Sequence, residues 1–505
     1  MKNMLVAAEP ATADSDAPVA SVSERPILDP EGAIVPDARP PIYTLPFELL
    51  AEIMALALTR RPWKYGGEQS ATATDVLGLC QVCSYWREVA LKTARLWNTI
   101  HLPIADWRGV RGEAPAQTEM FFERSAPLPI SVYIHPFLTG SPTKTDEVSA
   151  MVAGMAHRWK TFEVSCQSTK TFDPTSFTRI SPGSLTNLER VELCWSNRRP
   201  SSWHGSELDI FSNAPRLRDV KIEVPLATST IFNSMPWSQL TRLSLTYDSP
   251  QLCLDVLASC TKLVTVYIDT KQWLESDAPH NSYVARSGLL AHLTELRIRS
   301  RICSTGEYLA PFLRRFRLPA LKTLGLSVQL SYPVTYEYFV DWLTPALTFL
   351  LAQSPNLQRL RLVNGGWDSI YAEDMPDILR LTPNLTELLL SEVEVDDNFF
   401  EALRYAGPDT MPLVSKLDTL ALFDVGEFFE EVSFGEMIRS RWWSDEERLA
   451  MPTPPIVTQL KHLRFWSEDY EGIRTNDYVG FTRELVKTMG EYRLQGLDLT
   501  GSNYF

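Results

Sequence analysis

The residues best suited to chemistry are Cys80 and Cys83, in the stretch CQVCSYWREVA at residues 80–90. A Cys-x-x-Cys is half of a zinc site or the reactive pair of a thiol–disulfide enzyme. Each role makes a further demand. A structural zinc needs two more ligands, yet the next cysteine is Cys166, and neither a second Cys-x-x-Cys nor a histidine pair follows. A redox pair places its reactive thiol at a helix N-terminus, where the dipole lowers the thiol pKa. The apolar spacing instead predicts one helix from about Asp75 to Leu91, capped by Thr74, with both cysteines mid-helix on an apolar face. There they are expected to pack as small buried thiols.

Other chemistry is equally thin. The sequence has no phosphate-binding loop, dinucleotide fingerprint, H-E-x-x-H or G-x-S-x-G. Its seven histidines are scattered, and the acidic runs EVEVDD and EFFEE sit near repeat ends, where solvated faces belong. No catalytic residue, cofactor or metal is expected. A net charge of −14 over 505 residues argues against nucleic acid or an anionic membrane as partner. The five apolar residues before Glu9 are too few for a secretory signal, and no run approaches the roughly 18 needed to span a bilayer. Seven cysteines at irregular spacing fit a reducing compartment, cytoplasm or nucleus.

The elements around the cysteines divide the chain in three. Residues 1–40, rich in Ala, Pro, Ser, Asp and Glu with no apolar period, are expected to be disordered. A helical module should occupy 41–105. Its first helix opens at Pro46 with Glu48 at the positive end of the dipole, and apolar residues follow at 49, 50, 53, 54 and 57. The polar loop KYGGEQSATAT separates it from the second helix.

From 106 to 505 a short pattern, L-x-x-L-x-L, keeps returning. It reads LERVEL from 188, LRDVKI from 217, LTRLSL from 240, LVTVYI from 263, LTELRI from 293 and LKTLGL from 321. LQRLRL follows from 357, LTELLL from 385, LDTLAL from 417, LKHLRF from 460 and LQGLDL from 494. Two degenerate copies, PLPISVYI and HRWKTFEV, precede them. The closest starts are 23 apart (217 to 240) and the widest 43 (417 to 460), within or above the span of leucine-rich repeats. Each repeat supplies one short strand whose leucines point inward, and stacking the strands makes a parallel sheet. The expected fold class is α/β: a helical module followed by an irregular leucine-rich-repeat solenoid of about 11–13 repeats. Longer spacings leave room for helices on the opposite face, as in YEYFVDWLTPALTFLLAQ.

Taken together, Leu45-Pro46, Glu48-Leu49, Ile53, the run VCSYWREVA and the closing Leu96-Trp97 closely resemble an F-box, a three-helix module, over residues 43–103. The polar insert at 60–73 is a departure from that family. The layout of F-box plus irregular repeats, with the late segment FGEMIRSRWW, resembles the large basidiomycete-type fungal family of such proteins. The resemblance implies a substrate-receptor subunit of a cullin–RING (SCF-type) ubiquitin ligase. Its F-box would bind a Skp-type adaptor, and through it a cullin, while the repeats capture a protein substrate. It also implies the residues that pack on the adaptor or hold the module's own helices, with some of them internal core: Leu45, Pro46, Leu49 and Ile53, then Val82, Cys83 and Trp86, then Leu96 and Trp97. A module this small leaves apolar surface to be covered, which agrees. The competing readings are a repeat scaffold or inhibitor outside any ligase, whose N-terminal helices merely cap the solenoid, and a small-molecule sensor with a ligand in the concavity, for which the sequence carries no signal of a closed apolar pocket.

The residues flanking the fourth and sixth positions of each repeat point to the concave face. Two expectations stand for Arg297, Arg299, Arg359 and Arg361 there: they flank a shallow groove floored by Gly325, suited to an acidic or phosphorylated peptide because the guanidinium fork matches carboxylate and phosphate, or they form a ladder of solvated charges paired with Glu295 or Glu387 on neighbouring strands. Arg464 and Trp466 lie further on, the tryptophan as an aromatic anchor.

Overall fold

The first helix forms where apolar spacing and end chemistry agree. α1 (Phe47–Thr59) begins just after Pro46, whose carbonyl accepts from the Leu50 N–H at 3.1 Å, and carries Glu48 in its first turn. The computed structural model describes residues 45–59, 61–62, 68–69, 73–102, 113–134, 142–166, 180–181, 183–195, 206–223, 235–246, 250–270, 288–302, 309–330, 343–365, 370, 372–407, 412–426, 428–451, 455–466 and 482–500. The tail expected at 1–40 and most of the polar loop after α1 lie outside them.

The single helix expected from Asp75 to Leu91 is two: α2 (Ala73–Val82) and α3 (Ser84–Lys92), with Cys83 extended between them. On one continuous helix, at about 100° per residue, Val89 would stand about 140° round from Val76. Both are buried, because the turn at Cys83 lets each short helix bring its own apolar face to α1. Thr74, expected as the cap, falls inside α2. Cys83 is not a mid-helix packing residue either. Its sulfur accepts from the Trp86 N–H at 3.4 Å and caps α3. Cys80 does pack in the core, where burial pushes its thiol up from the ordinary range despite Arg124 and Arg87. Among the described residues no three His, Cys, Asp or Glu side chains gather as a metal site would require.

Thirteen parallel strands then form one sheet in which chain order is spatial order. They are β1 (Thr99–Leu102), β2 (Ile130–Ile134), β3 (Trp159–Cys166), β4 (Arg190–Trp195), β5 (Asp219–Glu223), β6 (Arg242–Thr246) and β7 (Thr265–Asp269). The remainder are β8 (Glu295–Ile302), β9 (Thr323–Leu330), β10 (Arg359–Gly365), β11 (Glu387–Ser391), β12 (Thr419–Phe423) and β13 (His462–Trp466). The pattern's first leucines, Leu188 through Leu460, are all buried to within 1% exposure, and its next two positions form inward ladders such as Val266–Leu296–Leu324–Leu360. The chain is a leucine-rich-repeat solenoid. Helices line its far side in the longer repeats: α4 (Glu113–Arg124), α5 (Pro142–Gly154), α6 (Pro250–Ser259), α7 (Leu309–Leu313), α8 (Leu343–Ala352), α9 (Met375–Arg380) and α10 (Asp397–Leu403). α8 takes up the second part of YEYFVDWLTPALTFLLAQ; the first lies outside the described residues.

Two positions depart from the repeat reading. The sheet begins at Thr99, inside the span assigned to the helical module, so module and solenoid share one core. At the far end LQGLDL makes no strand. α13 (Arg483–Leu494) runs through Leu494, which is 90% exposed, and the chain pairs with β13 only by the bridge between His462 and Asp498. Leu497 and Leu499 still close the core. The interval before β13 is filled by α11 (Glu431–Arg441) and α12 (Asp445–Ala450), the latter started by a complete Ser444–Glu447 capping box.

The seam between module and solenoid is built on Trp97. Fully buried, it donates its indole N–H to the Ala90 carbonyl at 2.8 Å and meets Phe121 of α4 edge-on at 5.0 Å, with the Arg124 guanidinium 4.5 Å from its ring centroid. Trp97→Phe removes the hydrogen bond and part of the ring, and is expected to lower stability by about 1–2 kcal/mol in a urea melt.

Candidate functional site

Two surfaces face outward. The first is on the helical module. While Leu50 and Met54 of α1 point inward, Leu49, Ile53 and Leu56 are 53%, 45% and 54% exposed. Their i, i+4, i+7 spacing puts these three large apolar side chains in one stripe along the helix. Val82, the last residue of α2, is 59% exposed. Isolated exposed leucines need no explanation, but an aligned stripe on a helix marks a surface that another molecule covers.

The structure sorts the nine residues that the resemblance assigned to an adaptor. Pro46, Leu49, Ile53 and Val82 are exposed. Leu45, Cys83 and Trp86 are half-buried and hold the module together: the Leu45 carbonyl accepts from the Tyr85 hydroxyl at 2.9 Å, Cys83 caps α3, and Trp86 packs on the core. Leu96 and Trp97 are buried, so as surface residues they are a correction: the 3₁₀ turn Ala94–Leu96 directs them into the seam. An ion pair of Arg95 with Glu52 ties that turn to α1. Leu56 was not singled out from sequence, although it continues the spacing of Leu49 and Ile53.

The second surface is the outward face of the sheet. Over β4–β6 its charges neutralise one another. Arg190 reaches Glu192 at 3.1 Å and Asp219 at 3.7 Å, Arg242 reaches Asp219 at 3.0 Å, and Lys221 pairs with Glu192. Burial opposes the charge on Glu192, but the Lys221 ammonium and the Arg190 guanidinium hold its carboxyl below the ordinary range. Glu163, beside it on β3, makes no ion pair among the described residues, and Lys221 and Arg190 act on it only from a distance. Burial, and then the Glu192 carboxylate, push it up to about 7.

That raised value has a sign. The folded chain holds a proton on Glu163 that the unfolded chain has released, so stability falls as pH rises from the ordinary carboxyl range through about 7. Glu163→Gln is expected to melt higher than the parent at pH 8 and to lose that advantage towards pH 5, as read by thermal melts across this range.

Over β8–β10 the register brings Arg297, Gly325 and Arg361 into one outward row. The Arg297 stem lies across Gly325, its Cγ 3.4 Å from where a Cβ would stand. Two of the four arginines are engaged: Arg297 pairs with Glu295 at 2.7 Å, and Arg359 donates to the Thr323 hydroxyl at 2.9 Å. Arg299 and Arg361 are exposed and unpaired among the described residues. Arg464 and Trp466 are not beside them. They stand on β13, opposite Ala421 and Phe423, three strands from β10.

An F-box-like family model matches residues 42–103. No curated protein matches the chain by sequence. Among solved structures, the yeast Rad7–Elc1 complex aligns at 13% identity over 80% of this chain and 96% of the other, with a TM-score of 0.35. The TLR13–ssRNA13 complex aligns at 11% identity over 74% of this chain and 58% of the other, with a TM-score of 0.32.

Proposed function

We propose that this chain is a substrate receptor of an SCF-type ubiquitin ligase, which holds a Skp-type adaptor on its helical module and a protein substrate on its repeats. The observation that carries the reading is the coincidence of the F-box-like match at 42–103 with an outward apolar stripe, Leu49, Ile53 and Leu56, on the first helix of that region. A module that turns such a stripe outward in water while its Trp97 seam packs against the solenoid is arranged for a second partner. In this reading the ubiquitin chemistry belongs to other subunits, and the chain supplies binding and geometry. The finer placement, among fungal proteins of this layout, rests on the resemblance of the segment around Phe434–Trp443.

The seam at Trp97 favours a second role for the same helices, as the cover of the solenoid's first strand. A cap alone needs no adaptor. Titration of the purified full-length chain with a purified Skp-type adaptor separates the two. The receptor reading expects one-to-one binding; a folded chain that gives no heat and no complex on gel filtration leaves only the cap.

A further inference from the structure

The outward face of the sheet is not uniform, and its asymmetry identifies what it binds. Over β4–β6 every arginine and lysine of the outward rows has a carboxylate within reach. From β10 to β13 the composition changes. The register aligns Arg361, Leu389, Ala421 and Arg464 in one row, and Val363, Ser391, Phe423 and Trp466 in the next. Arg361 and Arg464 are exposed and, among the described residues, unpaired. In these two rows Leu389, Val363, Phe423 and Trp466 are half-buried, and Ala421 is buried.

We propose that this face, β10–β13, is the recognition surface, and that it takes an extended segment of a partner protein with two acidic residues bracketing an apolar centre. The segment crosses the strands. Arg361 and Arg464 are three strand spacings apart, about 14 Å at ~4.8 Å per strand, and an extended chain covers that in about four residues. The motif is therefore acid, three residues with apolar character, acid. Each flanking carboxylate meets the fork of one arginine, and the apolar centre lies on Phe423, Leu389 and Trp466, where aromatic area drives binding. Arg299, two strands before Arg361, offers a third open guanidinium on the upstream side. Charge complementarity selects this partner over a basic one: Arg361 and Arg464 stand in the row that carries the groove, while the acids of these strands flank the two rows, Glu387 at a strand start and Glu392 and Asp424 just past strand ends.

The inference rests on reading the repeats as the recognition half of a receptor, but it is tested on the full-length chain with no adaptor present, so the two fail separately. The probe is a fluorescein-labelled nine-residue peptide library with glutamate at two positions four apart and Leu, Val or Phe between them, followed by anisotropy. A sister library carries lysine at the same two positions. The glutamate library is expected to bind roughly 10-fold or more tightly than the lysine library. Arg361→Glu and Arg464→Glu are each expected to weaken it by about 10-fold, while Arg242→Glu, on the self-neutralised part of the face, leaves it unchanged. Arg464→Gln gives the same loss in smaller measure. Equal binding of the two libraries, or affinity indifferent to both charge reversals, overturns the assignment. So does a peptide of this chain's own residues 1–40 that outbinds the library, since the face would then be filled from within.

Discussion

Under the proposed function, Leu49→Glu with Ile53→Glu is expected to abolish adaptor capture while leaving the chain folded. Both side chains are about half exposed on α1, so neither substitution opens a cavity, and surface changes of this kind usually shift stability by less than about 0.5 kcal/mol. In a complex the same positions would be desolvated. A carboxylate placed there must be stripped of water without a partner, and two lost anchors at about 2 kcal/mol each remove roughly 1,000-fold in affinity. The check is calorimetric titration of the double variant against the adaptor, with melting temperature as the control for folding. Substitution of Leu50, their inward neighbour, behaves oppositely: Leu50→Ala costs about 2–5 kcal/mol of stability by opening the module's core.

Arg441→Met unfolds the last repeats. Arg441 ends α11 with no exposed surface, and its guanidinium donates to three backbone carbonyls, those of Leu403, Leu413 (2.8 Å) and Val414 (3.3 Å). Burial pulls its pKa down to about 10, which still leaves it charged at neutral pH. These carbonyls lie where α10 ends and the chain approaches β12, so one side chain satisfies the loose ends of a whole repeat. Removing it strands the Leu403 and Leu413 carbonyls and leaves that of Val414 with only the Leu417 N–H. A loss of about 3–5 kcal/mol is expected, and Arg441→Lys is expected to recover little of it, because a point donor cannot span three directions. Urea unfolding followed by amide exchange over α10–β13 reads both variants. The segment FGEMIRSRWW is thereby explained at its key position: the arginine of its last turn is a structural bolt.

Most of the sheet was legible because one face of every strand is buried. A period of two, punctuated by a leucine three positions upstream, fixes strand, direction and register together, and the degenerate copies at Ile130 and Trp159 fell into place by the same rule. Two features were not legible. Cys83 reads as the continuation of an apolar helical face, since nothing in cysteine's ordinary preferences announces a cap; only the need to bury Val76 and Val89 against the same helix breaks the chain there. Trp97 and Leu49 are both large apolar residues in a short module, and spacing alone does not say which points out. The sorting depends on the seam with α4, a contact between segments that the sequence shows separately. The arginines show the same limit. Their outward direction followed from the period, but Arg297 and Arg359 turned out to be engaged by neighbours, which moves attention to Arg361 and Arg464.

Under the proposed function, the helical module holds the adaptor and the face of β10–β13 stays free for a substrate. Amide hydrogen exchange of the full-length chain, with and without a saturating Skp-type adaptor, tests it most directly. Slowed exchange confined to α1–α3, with β10–β13 unchanged, is expected. Slowed exchange over the outer sheet with α1 unaffected would contradict it.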